Sequence, residues 1–183
     1  MAEKGKAIYR IVINGSQEAI FRELTSTDRP LGAIFNSRMH TTGLRPGGRM
    51  QMRTVSGDHT IVDGDVVEYN PPHRFVHTHR FTSHDDPVCK VTYELKPVTG
   101  GIEVTLTVDD LPLGTRTAKE MEGGGMFILR NLKAIVEDGR PGLKTRLLYW
   151  MFGAMEFVLP KKTKSEHWPL AGPQGVKRGE GRK

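Results

Sequence analysis

Two histidines that alternate along one predicted strand are the residues best suited to chemistry in this chain. His77 and His79 lie on the same strand face, about 7 Å apart along the backbone. Two imidazoles at that spacing supply two metal ligands, whereas a protein metal site needs three or four. Three interpretations therefore stay open: a metal site, acid–base groups in a pocket, and a half-exposed strand face.

The other potentially reactive side chains are better explained by structural roles than by catalysis. Asp63 and Asp65 share a strand face but Glu68 lies on the other, which favours a solvated surface over paired catalytic carboxylates. Cys89 alternates with apolar residues and is expected to pack in the core. The chain has no Ser/His/Asp spacing, phosphate-binding loop or dinucleotide fingerprint. We expect neither a metal nor a cofactor.

A run of strands must position these residues. The first strand is predicted at 6–14, followed by a helix at 16–24 capped by Asn14 or Ser16 and a short turn at 28–35. Six further strands are predicted at about 38–44, 48–55, 60–69, 74–83, 88–96 and 101–109. Short connections rich in Gly, Pro, Asn and Asp separate these six, so the sheet should be antiparallel.

The predicted sheet has one apolar face and one polar face, and the apolar face needs a cover. The long segment 115–138 is the candidate, because its apolar residues recur at helical spacing and Gly139 is a plausible helix stop. The run Gly123-Gly124-Gly125 interrupts it. The glycines predict either a loop before a shorter helix that starts near Met126, or a place where a ligand approaches or a hinge opens.

Four stretches carry a resemblance to a known family, namely residues 44–50, 64–76, 93–97 and 131–139. Together with the order of elements, they resemble the START-like (SRPBCC) superfamily, in the branch of activator of heat-shock-protein-90 ATPase homologues. The similarity covers about residues 6–140. It implies an α+β helix-grip fold, in which a curved antiparallel sheet wraps around a long C-terminal helix and a ligand occupies the cavity between them.

The chain departs from that branch at two places. The branch often has tryptophan where this chain has His79, and it usually has Gly-Trp where this chain has Gly124-Gly125. Both differences remove large rings, so they imply a roomier or more polar pocket.

Three parts of the chain are predicted: the START-like domain (1–140), an apolar helical extension (141–160) and a flexible basic tail (161–183). The net charge is +6, and the tail alone carries seven Lys/Arg against two Glu, or +5. The domain is therefore close to neutral, and nucleic acid is not an expected partner. A single cysteine and a start without an apolar signal segment fit the cytoplasm.

The extension is nearly all apolar from Leu147 onward, with basic flanks, but it is too short to span a bilayer. It is predicted either to dock on the domain or in a homodimer, or to lie on a membrane as a peripheral interfacial helix. The contact residues in either of the last two cases would be Leu143, Leu147, Trp150, Met151 and Phe157.

The leading functional prediction is non-catalytic binding or transport of a small hydrophobic molecule, such as a lipid or a polyketide-like compound. One alternative is an enzyme of the polyketide cyclase or hydrolase type with His77 or His79 as general acid/base, and another is a co-chaperone of heat-shock protein 90. The predicted pocket lining is Met50, Met52, Phe75, His77, His79, Tyr93, Leu106, Gly124, Met126 and Phe127.

Overall fold

The computed structural model of the 183-residue chain describes residues 3–170. In chain order the elements are β1 (Lys4–Ile13), α1 (Gln17–Thr25), β2 (Arg38–Thr41), β3 (Arg49–Arg53), β4 (Thr60–Asn70), β5 (Arg74–Phe81), β6 (Cys89–Val98), β7 (Gly101–Pro112), α2 (Arg116–Asp138) and α3 (Leu143–Ala154). Three short 3-10 turns follow at Glu156–Val158, Lys161–Thr163 and Ser165–His167.

The strands form one antiparallel sheet in the order β1-β7-β6-β5-β4-β3-β2. Each of the last six strands pairs with its neighbour in sequence, as the short connections predict. Register shifts interrupt the β1–β7, β3–β4 and β4–β5 ladders. Such bulges bend and twist a sheet, so they help it to curve around α2.

Capping residues define the start of α1 and both ends of α2. The Ser16 hydroxyl accepts a hydrogen bond from the amide of Ala19 at the start of α1, and Thr115 caps α2 through the amide of Ala118. Gly139 ends α2 in the left-handed conformation, with φ 75°. The predicted stop at Gly139 is therefore confirmed.

The prediction of a loop at the three glycines is wrong, because α2 runs without a break from Arg116 to Asp138. Gly125 explains part of this continuity. A Cβ at that position would lie 2.3 Å from Cε2 of Tyr9, so the Tyr9 ring packs directly on the helix backbone. The Tyr9 hydroxyl also donates to the carbonyls of Met121 and Glu122, at 3.4 and 3.3 Å.

The core lies between the sheet and the two helices α1 and α2. The alternation predicted for β7 is confirmed, with Ile102, Val104, Leu106 and Val108 all buried. Phe21 of α1 packs against Tyr69, which meets Phe75 edge-on with ring centroids 6.0 Å apart. α1 thus fills one end of the concave face, and the other end is left for a cavity.

The segment from 161 to 168 packs against the outer face of the sheet, although the sequence predicted a flexible tail from 161. Thr163 is buried, and its hydroxyl lies 2.8 Å from Nδ1 of His59. The carbonyl of Trp168 accepts a hydrogen bond from the buried Gln51 amide. The remaining part of the predicted tail, 171–183, lies outside the described residues.

This covering changes the environment of Asp63, which was expected to be solvated. Asp63 is buried and accepts hydrogen bonds from Arg49 at 2.5 Å and from Gln51 at 2.9 Å, with Arg80 at 3.3 Å. The carboxylate therefore ties the three strands β3, β4 and β5 together.

Candidate functional site

A cavity of about 930 Å³ lies between the concave face of the sheet and α2, with α3 as its outer wall. The sheet and α2 contribute mainly apolar side chains. The loop before β2 contributes Phe35, whose ring stacks on Phe127 of α2 at 4.9 Å between centroids. The principal lining residues of the sheet and α2 are Met52, Val62, His77, His79, Phe81, Val91, Tyr93, Leu106, Met121, Gly123, Gly124, Gly125, Phe127 and Ile128.

Seven of the ten predicted pocket residues line this cavity: Met52, His77, His79, Tyr93, Leu106, Gly124 and Phe127. Met50, Phe75 and Met126 do not. Met50 and Phe75 are fully buried in the core, with Phe75 at the end of the sheet that α1 fills through Phe21 and Tyr69. Met126 packs against the core cluster.

The outer wall of the cavity was not among the predicted lining residues. This wall is formed by Leu148, Tyr149, Trp150, Phe152, Gly153 and Ala154 of α3, with Glu156 after it. The apolar composition of the extension indicated a helix that docks somewhere, but composition does not specify where. Two contacts hold it in place: the Tyr149 hydroxyl donates to the carbonyl of Gly32 at 2.8 Å, and the Thr145 hydroxyl donates to Oδ1 of Asn131 at 2.9 Å.

The two histidines are the most unusual polar groups in the cavity wall. Burial lowers the pKa of His77 to about 4, and burial together with the neighbouring His77 lowers the pKa of His79 to about 3. Both imidazoles are therefore neutral at pH 7. Their ring centroids are 5.9 Å apart, and Tyr93 stacks near His77 at 6.4 Å.

Hydrogen bonding assigns the tautomer of His77. Its Nδ1 lies 2.9 Å from the carbonyl oxygen of Thr78, which can only accept, so Nδ1 carries the proton. Nε2 of a neutral ring is then an acceptor. For His79, Nε2 is buried and has no hydrogen-bond partner among residues 3–170. A buried polar nitrogen without a partner is costly and calls for an explanation.

Burial keeps the phenol of Tyr93 and the thiol of Cys89 protonated at neutral pH. Burial raises the pKa of Tyr93 far above its ordinary value, and burial raises the pKa of the Cys89 thiol to about 11. Cys89 is not part of the cavity lining. Residues 3–170 hold no cluster of three or more His, Cys, Asp or Glu side chains placed to bind a metal ion.

The three glycines have different surroundings on the cavity wall. Gly125 is required by the Tyr9 ring, as described above. A Cβ at Gly124 would reach the ring of Phe35 at an ordinary 3.6 Å, and a Cβ at Gly123 would meet nothing within 4 Å. Packing therefore does not require glycine at 123 or 124. Both positions keep the helix surface free of side chains where it faces the cavity.

A curved antiparallel sheet that grips a long helix, with an apolar cavity between them, defines a helix-grip protein of the START-like class. Within that class, the chain belongs to the family described as Activator of Hsp90 ATPase homolog 1-like protein, whose model matches residues 14–137. The predicted fold and family are confirmed. α3 lies beyond the matched residues.

Solved structures support the same fold. Protein MLL2253 from Mesorhizobium loti has a TM-score of 0.61 and 18% identity, covering 73% of this chain and 98% of that one. The Aha1 dimer from Colwellia psychrerythraea has a TM-score of 0.59 and 20% identity, covering 73% and 96%. DynU16, from the dynemicin biosynthetic locus, has a TM-score of 0.60 and 15% identity, covering 74% and 48%. At these identities the similarity concerns the fold alone. No curated protein matches the chain in sequence.

Proposed function

We propose that this protein binds a small hydrophobic molecule in the cavity between the sheet and α2. The main support for this proposal is the cavity itself, which has a volume of about 930 Å³ and is lined mostly by apolar side chains. That volume lies within the usual range of ligand pockets, which are mostly apolar with a few placed polar groups. Protein interiors are normally close-packed, so an apolar cavity of this volume indicates a binding site.

The histidines suggest what the ligand carries. Nε2 of His77 is an acceptor, and Nε2 of His79 has no partner among residues 3–170. A polar ligand group that reaches Nε2 of His79 would supply the missing hydrogen bond, and a ligand hydroxyl or N–H group could also donate to Nε2 of His77. The proposed ligand is therefore apolar over most of its surface, with at least one hydrogen-bonding group.

A matched pair of substitutions at Gly124 tests the proposal. Ala and Leu have nearly equal helix propensity, but only Leu adds a branched side chain beside Phe35 in the cavity. The full chain is titrated with the neutral apolar fluorophore N-phenyl-1-naphthylamine. We expect saturable binding to the wild type and to Gly124→Ala, and affinity lower by about tenfold, or about 1.4 kcal/mol, in Gly124→Leu. Equal binding by the two variants would place the probe outside this cavity and contradict the proposal.

Acid–base catalysis in the same cavity is the second candidate, favoured by the paired imidazoles. Their pKa values of about 4 and about 3 make them weak bases at pH 7, because a general base works best with a pKa near the operating pH. Binding is therefore preferred to catalysis. Turnover of a bound compound that is lost in His77→Gln while binding is retained would reverse this order.

Action on heat-shock protein 90 is the third candidate, and it rests on the description of the family alone. No feature of residues 3–170 specifically favours it. Purified chaperone that shows neither binding to this protein nor a change in ATPase rate would remove it.

A further inference from the structure

The outward side of the C-terminal extension is the most apolar exposed surface in the described part of the chain. Within residues 3–170, sixteen large hydrophobic side chains are exposed, and residues 143–158 contribute eight of them. None of the residues of α3 is buried. Trp150 is 72% exposed and Phe157 is 84% exposed. We call this the α3 surface, and it consists of Leu143, Leu147, Trp150, Met151, Phe152, Met155, Phe157 and Val158. A contiguous exposed apolar patch of this kind marks an interaction site.

Basic residues flank the α3 surface at both ends. Residues 140–164 contain six Lys/Arg and one acid, Glu156, whose carboxylate accepts a hydrogen bond from Ser56. One cation, Lys162, has a carboxylate within 4.0 Å, that of Asp85. The other five have none among residues 3–170: Arg140, Lys144, Arg146, Lys161 and Lys164.

A cleft lies beside the N-terminal end of α3, with a volume of about 510 Å³. Arg140 and Arg146 line it together with Asn36 and Trp150. Two guanidinium groups without carboxylate partners, next to an exposed indole, match the chemistry of an anionic headgroup above an apolar layer.

The charge distribution argues against a second copy of this chain as the occupant. In a two-fold interface the same surface faces itself. Because both ends of the α3 surface are basic, parallel and antiparallel pairing of two α3 helices would each bring like charges together. An anionic layer complements both ends at once.

We propose that the α3 surface docks on an anionic membrane surface as an interfacial helix. Trp150 and Phe157 enter the headgroup region, and the flanking cations contact lipid phosphates and carboxylates. Tyr149 stays with the domain, since its hydroxyl is bonded to Gly32. No helix within residues 3–170 is long and apolar enough to cross a membrane. Trp150 and Phe152 also line the cavity, but Leu147 and Phe157 do not, so substitutions at these two residues test the proposal independently of the ligand.

The test is cosedimentation of the full chain with phosphatidylcholine vesicles, with and without phosphatidylserine. We expect binding that requires phosphatidylserine and weakens with salt. Leu147→Glu and Phe157→Glu should each reduce it by about tenfold or more, because a charge is placed in the apolar contact. Both side chains are exposed and neither lines the cavity, so folding and probe uptake should stay unchanged. Val98→Glu, an exposed apolar site on β6, is the matched control and should bind as the wild type does.

Two outcomes would overturn the proposal. One is that the wild type does not bind anionic vesicles, or binds them no better than Phe157→Glu does. The other is a concentration-dependent dimer in analytical ultracentrifugation that Leu147→Glu dissociates, because the α3 surface would then be covered by a second copy. The fluorescence of Trp150 gives an independent readout, with a blue shift expected on vesicle binding in the wild type and absent in Trp150→Phe.

Discussion

Alanine substitution at Gly123 and at Gly125 should change stability in opposite directions, although the two glycines are two residues apart in the same helix. A Cβ at Gly123 meets nothing within 4 Å, whereas a Cβ at Gly125 would lie 2.3, 2.5 and 2.7 Å from three ring atoms of Tyr9. Atoms at those distances must move apart, and the Tyr9 ring is held between the helix and the sheet.

The magnitude follows from two opposing effects. Either substitution gains about 0.8–1.0 kcal/mol of helix propensity. Gly125→Ala also overpacks the Tyr9 contact, which typically costs about 1–3 kcal/mol. The propensity gain cancels between the variants, so Gly123→Ala should exceed Gly125→Ala in free energy of unfolding by about 1–3 kcal/mol. For a chain of this size the difference in Tm should be about 2–12 °C.

Urea denaturation followed by circular dichroism measures both variants. Tyr9→Ala provides the control background, because it removes the ring that the new Cβ would strike. In that background Gly125→Ala should stabilise as Gly123→Ala does. If Gly125→Ala stabilises the protein with Tyr9 intact, the assignment of Gly125 to the Tyr9 contact is refuted.

Three further predictions follow from buried groups and from α3. The pKa values of His77 and His79 are lowered by burial to about 4 and about 3, against about 6.5 in the unfolded chain, so stability should be lost as pH falls below about 6.5. His77→Gln should reduce the slope of the free energy of unfolding against pH, measured by urea titration, by up to about 1.4 kcal/mol per pH unit. An unchanged slope would contradict the lowered pKa of His77. Cys89, with its pKa raised to about 11, should react with a thiol reagent at neutral pH only after unfolding; rapid reaction of the native protein would contradict its burial. Tyr149→Phe should weaken the attachment of α3 by about 0.5–1.5 kcal/mol and speed amide exchange in Leu143–Ala154, with α2 as the internal reference; equal protection in both proteins would rule out the bond to Gly32.

Local pattern was sufficient to predict the sheet and the long helix. The alternation around Leu106 and the turn residues between the strands specify the buried face and the antiparallel pairing without any long-range information. The prediction of a break at the three glycines of α2 was wrong because it rested on intrinsic propensity, which disfavours three glycines in a helix. The helix persists because Thr115 and Gly139 cap its ends and because Tyr9, more than a hundred residues away, packs on Gly125.

The parts that the sequence did not predict depend on which distant segments meet. The neighbours of Asp63 in sequence predict a solvated carboxylate. In the structure, Gln51 donates to Asp63 and also to the carbonyl of Trp168, in the segment that packs on this face of the sheet. On β5 and α2, the predicted lining residues His77, His79, Gly124 and Phe127 line the cavity, whereas the lining residues Phe81, Met121 and Ile128 were not predicted. The outer wall was not predicted, since α3 is apolar on all sides from Leu147 onward and periodicity gives such a helix no preferred face.

Native mass spectrometry of the freshly purified full chain, with organic extraction of whatever is bound, tests the proposed ligand binding most directly. We predict a reproducible apolar adduct on the wild type and on Gly124→Ala, with markedly lower occupancy on Gly124→Leu. A wild-type protein that carries no adduct and also fails to take up N-phenyl-1-naphthylamine would contradict the proposal that the cavity binds a hydrophobic molecule.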